Sequence, residues 1–242
     1  MLTFFSEVLM YKRVLLKLSG EVLSGEGARG FDSERTSFLI EELRPVIEKG
    51  IQLAIVIGAG NIIRGRELSN MRGSRADELG ILGTIMNALY LKEALCVNGF
   101  ETIAVSSIAG ISSLVEHRYD TIEDALNEGK IVVFGGGTYL PFFTTDTAAA
   151  VRAVEIGADV LIKGTKVDGV YDKDPKVNGD ATKIDKTTFS EAIEKGLGIM
   201  DIEAFSICQR YGLSVRVIDF FNKGNLFDAI IGGKTGTVVL PD

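Results

Sequence analysis

Residues 131–146, IVVFGGGTYLPFFTTD, decide the fold class of this chain. The segment begins with four apolar residues, which is typical of a buried strand. Three glycines follow, and their backbone amides can approach a ligand closely because no side chain intervenes. Thr144, Thr145 and Asp146 then precede the helical pattern TAAAVRAVEIG. This order predicts an anion site at the open end of a parallel sheet, although an ordinary strand-to-helix loop with a Thr/Asp cap has the same local pattern.

The composition is typical of a globular protein. The chain has 242 residues, of which 46% are hydrophobic and 24% charged, and its formal net charge is −7. Such a chain forms one large or two smaller α/β domains with a sizeable core, and it is not disordered. The acidic balance argues against general nucleic-acid binding, which normally needs a basic face. We expect no membrane-spanning segment and a cytoplasmic location.

The N-terminus and the cysteines agree with that location. Residues 1–10, MLTFFSEVLM, include an acid and lack both a basic region and a small-residue cleavage site, so they do not predict a signal peptide. We interpret them as an N-terminal extension and residues 11–242 as a single domain. Cys96 and Cys208 lie in predicted helices without metal or redox spacing, and we expect both to be buried in a reducing compartment.

Two further predicted strands end in glycine turns beside a basic side chain. Strand 13–18 contains Lys17 just before the dipeptide SG, and strand 51–57 runs into GAGNIIRG, which contains Arg64. Lys17 is either an edge residue whose ammonium reaches solvent or a phosphate ligand. Arg64 is either solvated or placed to bind a phosphate through its forked guanidinium. The recurrence of strand-end glycine turns favours phosphate binding.

Residues 75–98 predict a long helix with an apolar stripe that faces the core. The stripe consists of Leu79, Leu82, Ile85, Met86, Leu89 and Leu95. Asp77 lies in the first predicted turn, where a carboxylate either stabilises the helix dipole or accepts hydrogen bonds from a sugar hydroxyl. An earlier helix over 32–49, with Asp32 and Ser33 as its predicted cap, contains Pro45, which predicts a bend or two segments. Two later helices are predicted over 188–195 and 201–211, and a final strand over 237–240.

The segment after the predicted strand 158–162 is rich in groups that bind nucleosides. Lys163 ends that strand, and GTKVDGVYDKDP at 164–175 supplies hydroxyl, ring and carboxylate groups in one loop. An isolated turn of this kind indicates little, but this one follows another strand of the same predicted sheet. Strands alternate with helices throughout the chain, which predicts an α/β fold with a mostly parallel sheet covered on both faces.

Two glycine motifs do not support other nucleotide-binding folds. GEGARG at 25–30 matches G-x-G-x-x-G but does not directly follow a strand, so a flexible loop is the default and a ligand or regulatory loop the alternative. GGKT at 232–235 resembles the end of a P-loop, but Asp228 stands where the first glycine must be. His117, the only histidine, has no partner pattern near it, so we expect no catalytic role for it.

Five stretches occur in order along the chain: KRVLLKLSGE (12–21), VIGAGNIIRG (56–65), PFFTTDTAA (141–149), LIKGTKVDGVYDKDP (161–175) and MDIEAF (200–205). Together they resemble the bacterial uridylate (UMP) kinases of the amino-acid-kinase superfamily. The resemblance implies an αβα three-layer sandwich with a mostly parallel central sheet, an acceptor part at about 11–157 and an ATP part at about 158–242. It also implies transfer of the γ-phosphoryl group of ATP to UMP, with Mg²⁺ held mainly by the ATP phosphates.

The resemblance assigns a role to each matching residue. Lys17, Arg64 and Asp146 would form the catalytic centre, with Lys163 and Asp201 in support. The ATP site would comprise Lys17, Leu18, Ser19, Gly20, Gly60, Arg64, Thr165, Tyr171 and Asp174. The UMP site would comprise Ala59, Asp77, Thr138, Tyr139, Leu140, Pro141, Phe142, Phe143, Thr144 and Thr145, with Asp77 on the ribose.

Regulation and assembly are also implied. GTP activates many bacterial members, at a loop that would correspond to Gly25, Glu26, Gly27, Ala28, Arg29 and Gly30. UTP is a common inhibitor in the family, and a homohexamer is the common assembly.

Two positions depart from the family pattern. Tyr139-Leu140 stand where Gly-Asn usually precedes the proline, which removes a side-chain amide contact, and Ala59 replaces a glycine often found there. A kinase of the same superfamily with an amino acid or carbamate as acceptor therefore stays an alternative. A non-catalytic nucleotide sensor or transcriptional partner is a second alternative, and a dinucleotide oxidoreductase a more distant third.

Overall fold

The computed structural model describes residues 11–25, 29–63, 68 and 70–242. The strands in this part of the chain are β1 (Arg13–Leu18), β2 (Gln52–Ile57), β3 (Thr102–Ser106), β4 (Val115–Glu116), β5 (Ile131–Gly135), β6 (Val160–Thr165), β7 (Val170–Tyr171), β8 (Lys183–Ile184), β9 (Lys186–Thr188), β10 (Ser214–Asp219) and β11 (Thr237–Leu240). The α-helices are α1 (Ser33–Glu48), α2 (Gly73–Val97), α3 (Tyr119–Asn127), α4 (Thr145–Glu155), α5 (Phe189–Glu194), α6 (Ile202–Arg210) and α7 (Asn225–Ile230). A short 3-10 helix, Gly20–Leu23, follows β1.

The large sheet has the order β4-β3-β5-β2-β1-β6-β10-β11-β9, and β7 pairs separately with β8. It is mostly parallel, as predicted, with β11 antiparallel to β10. β2, β5 and β3 lie on one side of β1, whereas β6 and β10 lie on the other. The carboxyl end of β1 is therefore where the strand order reverses, which is the position at which open parallel sheets bind ligands.

Alternate side chains of β1 enter two different hydrophobic cores. Leu15 packs in the core that contains the apolar faces of α3, α4, α5 and α6, whereas Leu16 packs in the core formed with α1, α2 and α7. Because successive strand residues point to opposite faces, Lys17 shares the side of Leu15 and lies towards α4. The predicted αβα sandwich of three layers is thereby confirmed.

Polar caps start several of the helices. Asp32 accepts a hydrogen bond from the Arg35 amide at 2.9 Å and caps α1, as predicted. α1 runs through Pro45 as one helix rather than as two segments. Thr188 and Asp201 cap α5 and α6, which begin where the sequence predicts helices.

The apolar stripe predicted for α2 is wrong at three positions. Leu82, Met86 and Leu89 are 48%, 52% and 36% exposed. α2 approaches Gly58-Ala59-Gly60 after β2, which we call the second glycine turn, too closely for large inner side chains. A Cβ atom on Gly83 would lie 2.8 Å from the Cβ atom of Ala59. The buried face of α2 instead consists of Ala76, Gly83, Thr84, Ile85, Asn87, Ala88, Leu91 and Leu95.

Two further findings concern expectations about α2. By length and composition alone this 25-residue helix could cross a membrane, because an 18-residue window within it has a mean hydropathy of 1.3. Its inner face packs against β3 and β5 of the sheet. Cys96 is exposed rather than buried, because the last residues of α2 turn towards solvent, whereas Cys208 is buried as predicted.

Strand boundaries differ most around β6. The strand predicted over 158–162 runs from Val160 to Thr165, so Lys163 and Thr165 lie within it. The Ala158 amide instead donates to the Ala153 carbonyl and completes the end of α4. β4, β7, β8 and β9 have only two or three residues each, too few for an alternating pattern to predict them.

Candidate active site

The adjacent strands β1 and β6 bring two lysines to one carboxylate. Lys17 and Lys163 are register partners on these parallel strands. The Nζ atom of Lys17 lies 2.7 Å from Oδ1 of Asp146, and the Nζ atom of Lys163 lies 2.6 Å from Oδ2. The side chains of Lys17, Lys163 and Asp146 are only 13%, 15% and 14% exposed, respectively. We call these three residues the lysine–aspartate cluster.

Burial and charge act against each other in this cluster. Burial alone raises the pKa of the Asp146 carboxyl, but Lys17 and Lys163 together outweigh it and hold that pKa below its usual value. Burial lowers the pKa of Lys163, Asp146 raises it, and the like charge of Lys17 lowers it further, so the net direction is down. Two ammonium groups thus share one carboxylate, and a bound anion would supply the missing negative charge.

α4 begins directly at the lysine–aspartate cluster. The hydroxyl oxygen of Thr144 accepts a hydrogen bond from the Asp146 amide at 3.0 Å and caps the helix. The carboxylate of Asp201, which caps α6, accepts hydrogen bonds from the Thr144 hydroxyl and, at 2.8 Å, from the Thr147 hydroxyl. Two helix N-termini therefore meet beside the two lysines, and their dipoles add to the attraction for an anion.

The second glycine turn is braced from α2. Asn61 and Asn87, both buried, exchange side-chain amide hydrogen bonds of 3.0 and 2.7 Å. Asn87 also donates to the Gly58 carbonyl at 2.7 Å. The Asn61 side chain donates to the Gly30 carbonyl at 3.0 Å, and the main-chain carbonyl of Asn61 accepts from the Gly30 amide at 2.9 Å. The pair thereby ties this turn to α2 and to the end of the 25–30 segment.

A cavity of about 200 Å³ opens between α2, the second glycine turn and the segment that leads into α4. We call it the acceptor cavity. Its lining consists of Ala59, Ala76, Asp77, Gly80, Ile81, Thr84, Gly137, Thr138, Phe143, Thr144 and Thr145. Thr144 and Thr145, which line this cavity, immediately precede Asp146 of the lysine–aspartate cluster.

Asp77 faces this cavity but caps no helix. α2 begins at Gly73 with Arg72 as its N-cap, which places Asp77 beyond the first turn. Oδ2 of Asp77 accepts a hydrogen bond from the Phe142 amide at 2.9 Å. The carboxylate therefore joins α2 to the loop on the other side of the cavity, and the dipole-cap interpretation of Asp77 is wrong.

The loop between β5 and α4, residues 136–144, which we call the acceptor loop, has its middle outside the acceptor cavity. Tyr139, Leu140 and Pro141 line a separate cavity of about 310 Å³ together with Leu82 and other residues. The side chain of Phe142 is 76% exposed. Tyr139 and Phe142 both have a φ of 72°, in the left-handed region that favours glycine.

Two more cavities lie on the β6 side of the cluster. The larger, the donor cavity, measures about 510 Å³ and includes Lys163, Thr165, Tyr171 and Asp174. The smaller, of about 290 Å³, includes Lys17, Ser19, Lys163 and Thr165. Lys163 and Thr165 line both, so the donor cavity continues to the lysine–aspartate cluster.

Comparisons with known proteins identify the family of this chain. The profile of the amino acid kinase family matches residues 12–219. The chain is 55% identical to the uridylate kinase of Thermosipho melanesiensis over 96% of its length and 100% of that protein. The chain belongs to the uridylate kinases of the amino acid kinase family.

Other members of the family are similar over nearly their whole length. The uridylate kinase of Fervidobacterium nodosum is 54% identical over 96% of this chain and 99% of that protein. The solved structure of UMP kinase from Bacillus anthracis has a TM-score of 0.94 and 33% identity, and the similarity covers 97% of this chain and 98% of that one. UMP kinase from Ureaplasma parvum has a TM-score of 0.88 and 32% identity over 96% and 100%.

For this member of the amino acid kinase family, most predicted site residues line the acceptor cavity, the donor cavity or the smaller cavity beside Lys17. Leu18 and Gly20 are buried beneath the site, and Gly60 packs against Ser19 and Glu21. In the 25–30 loop, Gly30 is held by Asn61, and Nη1 of Arg29 donates to the Ile62 carbonyl at 3.5 Å. Predicted residues that lie outside the described part of the chain are Arg64, Glu26, Gly27 and Ala28.

Several lining residues escaped the sequence analysis. Ala76, Gly80 and Thr84 occur at intervals of four on α2 and line the acceptor cavity. Small residues at this spacing lie on one face of a helix and indicate that a neighbouring element or a ligand approaches that face closely. Together with Asp77, this pattern could have predicted the cavity lining from the sequence. Gly196, Gly198 and Ile199 line the donor cavity but come from the turn between α5 and α6, where no local pattern marks a ligand site.

Proposed function

We propose that this protein transfers the γ-phosphoryl group of ATP to UMP, giving UDP and ADP in pyrimidine nucleotide biosynthesis. The observation that supports the proposal most is the lysine–aspartate cluster, in which Lys163 lines the donor cavity and Asp146 directly follows Thr144 and Thr145 of the acceptor cavity. Phosphoryl transfer between two anions needs in-line positioning and charge stabilisation above all. Lys17 and Lys163, both largely buried on adjacent strands, supply that charge.

The residues allow a mechanism without a general base. The acceptor phosphate is already an anion and can attack the γ-phosphorus directly, so its oxygen forms the new bond as the bond to ADP breaks. Asp146 holds both ammonium groups in place through its two oxygens. When phosphates enter, the lysines would turn part of their interaction towards the transferred group, and the N-termini of α4 and α6 would add to its stabilisation.

The acceptor and donor cavities differ in the chemistry they offer. The acceptor cavity combines the Asp77 carboxylate with hydroxyl groups of Thr138, Thr144 and Thr145, which suits a nucleotide with ribose and phosphate groups. The donor cavity offers an aromatic ring in Tyr171 and a carboxylate in Asp174, which suits an adenosine. We assign UMP to the first and ATP to the second, with Arg64 and Gly60 as further phosphate ligands.

We assign Mg²⁺ as the metal. Among the described residues, no group of three or more His, Cys, Asp or Glu side chains could hold a metal ion. The carboxylate of Asp146 is already paired with two lysines, so the donor set fits a Mg²⁺ bound mainly by the nucleotide phosphates. Bound there, the ion would neutralise charge on the β- and γ-phosphates.

Acceptor choice provides the test. Purified protein with ATP and Mg²⁺ would be offered UMP, CMP, carbamate and acidic amino acids in separate reactions, and ADP release would be measured. Turnover confined to UMP is expected. Turnover with another acceptor alone would contradict the assignment of UMP, and ATP binding without any turnover would favour the nucleotide sensor.

We further propose a cytoplasmic homo-oligomer, a hexamer by family resemblance, that GTP activates through the 25–30 loop and UTP inhibits. The exposed apolar face of α2 supports assembly, since Leu82 and Met86 leave half of their surface uncovered. The link from Asn61 to Gly30 supports communication between the loop and the phosphate site. We retain the division into an acceptor part, 11–157, and an ATP part, 158–242, after an extension, 1–10.

A further inference from the structure

One buried arginine on α4 has no role in the proposed chemistry. Arg152 is 9% exposed and lies about two helical turns after the cap of α4. Its Nη1 atom lies 2.7 Å from Oε2 of Glu155 and 2.8 Å from Nε2 of His117. The guanidinium carbon lies 5.7 Å from the centre of the Phe134 ring. These contacts hold one edge of the guanidinium and one face in a fixed orientation.

The other edge of this guanidinium points at the acceptor loop. Nη2 of Arg152 donates to the Ser107 hydroxyl at 2.9 Å and to the Gly137 carbonyl at 3.3 Å. The Ser107 hydroxyl in turn donates to the same Gly137 carbonyl at 2.9 Å. Arg152 and Ser107 therefore converge on one carbonyl oxygen, with Arg152 as the charged donor.

The Gly137 carbonyl belongs to a turn whose own sequence does little to fix its backbone conformation. Gly136 and Gly137 have φ values of 85° and 55°, so neither residue restricts the turn as a side chain would. The Gly136 amide donates to the Thr84 hydroxyl at 2.9 Å, and the Ser107 amide donates to the Gly135 carbonyl at 3.2 Å. Side chains and backbone from α2, the end of β3 and α4 thus set its shape from outside.

We propose that Arg152 is a positioning residue for the acceptor substrate, because it fixes the turn whose Gly137 and Thr138 line the acceptor cavity. It touches no substrate itself and acts through the Gly137 carbonyl. The inference rests on the proposed function, since the acceptor is taken to be UMP. The sequence shows no partner for His117, but in the structure its side chain contacts Arg152, the residue that orients the turn.

A second buried arginine provides a matched control. Arg216 on β10 is 5% exposed and donates to the Thr235 and Ala229 carbonyls at 2.8 and 2.9 Å, and also to the Gly233 carbonyl. Both arginines hold main-chain carbonyls, but Arg216 holds the turn before β11, away from the acceptor cavity. Loss of either guanidinium should lower Tm, so Tm alone does not separate a positioning role from a structural one.

The experiment compares Arg152→Gln with Arg216→Gln. We would measure KM for UMP, KM for ATP, kcat, Tm, and the Kd of UMP by calorimetry without ATP. For Arg152→Gln we expect KM and Kd for UMP to rise by about tenfold or more, with KM for ATP changed by less than about twofold. For Arg216→Gln we expect a lower Tm with UMP binding unchanged. Arg152→Lys, which keeps the charge but loses the fork, should fall between wild type and Arg152→Gln.

Two results would overturn the inference. One is a lower Tm in both glutamine variants with unchanged UMP binding in both. The other is unchanged UMP binding in Ser107→Ala, because that variant removes the second hydrogen-bond donor to the Gly137 carbonyl. This second test also applies if Arg152→Gln does not fold. Wild-type protein that fails to bind UMP would instead refute the proposed function, and with it the acceptor named here.

Discussion

At the scale of single residues, we expect removal of the Lys17 side chain to lower kcat more than removal of any other single side chain. It is buried, opposite Lys163 in the strand register, and paired to Asp146 at 2.7 Å. We predict that Lys17→Ala lowers kcat by at least about tenfold, which is about 1.4 kcal/mol of barrier. The control is Lys130→Ala, whose ammonium pairs with Glu128 at the surface. Near-normal kcat in Lys17→Ala, measured by ADP release with saturating substrates, would refute this role.

The two cysteines should differ in reactivity. Burial, with a smaller contribution from the charges of Asp146 and Asp201, raises the pKa of the Cys208 thiol to about 12. Because the thiolate is the reactive form, Cys208 should stay inert in the folded protein, whereas the exposed Cys96 should react. Titration with a disulfide reagent at neutral pH should modify Cys96 alone, and both thiols after denaturation. Rapid reaction of Cys208 in the native protein would contradict its burial.

Much of this residue-scale site could be predicted because its residues sit at strand ends or at the start of the helix that follows a strand. Lys17 and Thr165 lie near the ends of β1 and β6, and Asp146 lies in the first turn of α4, after β5. In a parallel sheet such ends meet at one edge. Arg152 could not be predicted, since its partners Ser107, Glu155 and His117 lie 45, 3 and 35 positions away and come together only in the folded chain. The contact between Asp77 and the Phe142 amide is hidden for the same reason.

At the scale of elements, α2 shows why an apolar pattern can mislead. The large apolar residues of this helix fall on two faces, and hydrophobicity alone does not tell which one packs on the sheet. The structure selects the face with the smaller residues, because the helix must approach the second glycine turn closely. The methyl group of Ala59 occupies space that exists only because position 83 is glycine.

This fit predicts a coupled pair of substitutions. Gly83→Ala would place two Cβ atoms 2.8 Å apart, and we expect this crowding to outweigh the gain in helix propensity and to lower the free energy of unfolding by about 1 kcal/mol. In an Ala59→Gly background, the same change should instead raise it by about 0.5–1 kcal/mol. Gly80→Ala is the control, since a Cβ atom there meets nothing within 4 Å. Additive effects in denaturant unfolding would contradict the proposed contact.

At the scale of the whole molecule, the class of the sheet follows from the alternation of strands and helices, but the order of its strands does not. Nothing local to β1 and β6 says that they are neighbours, yet that pairing brings Lys17 next to Lys163. The antiparallel pairing of β11 with β10 and the short β9 at the far edge are equally invisible in the sequence. The resemblance to the uridylate kinases predicted the three-layer arrangement but not the order of the strands.

The exposed face of α2 makes a prediction about assembly. Met86 is 52% exposed between Leu82 and Leu89, and a surface of this kind is stable in water when another subunit covers it. We expect Met86→Glu to reduce the mass measured by light scattering to that of a smaller species, because it buries a charge in the interface. Ile193→Glu, at an apolar residue of α5 that is 51% exposed, should leave the mass unchanged. Equal masses for wild type and Met86→Glu would contradict an interface on α2.

The central claim is that one phosphoryl group moves from ATP to UMP at the lysine–aspartate cluster. The most direct measurement follows the label from ATP carrying ³²P in its γ-phosphate, with UMP and Mg²⁺, and separates the products by chromatography. The account predicts label in UDP, in an amount equal to the ADP formed, and a large loss of labelled UDP in Lys17→Ala. Label released only as inorganic phosphate, or labelled UDP formed equally well by Lys17→Ala, would contradict it.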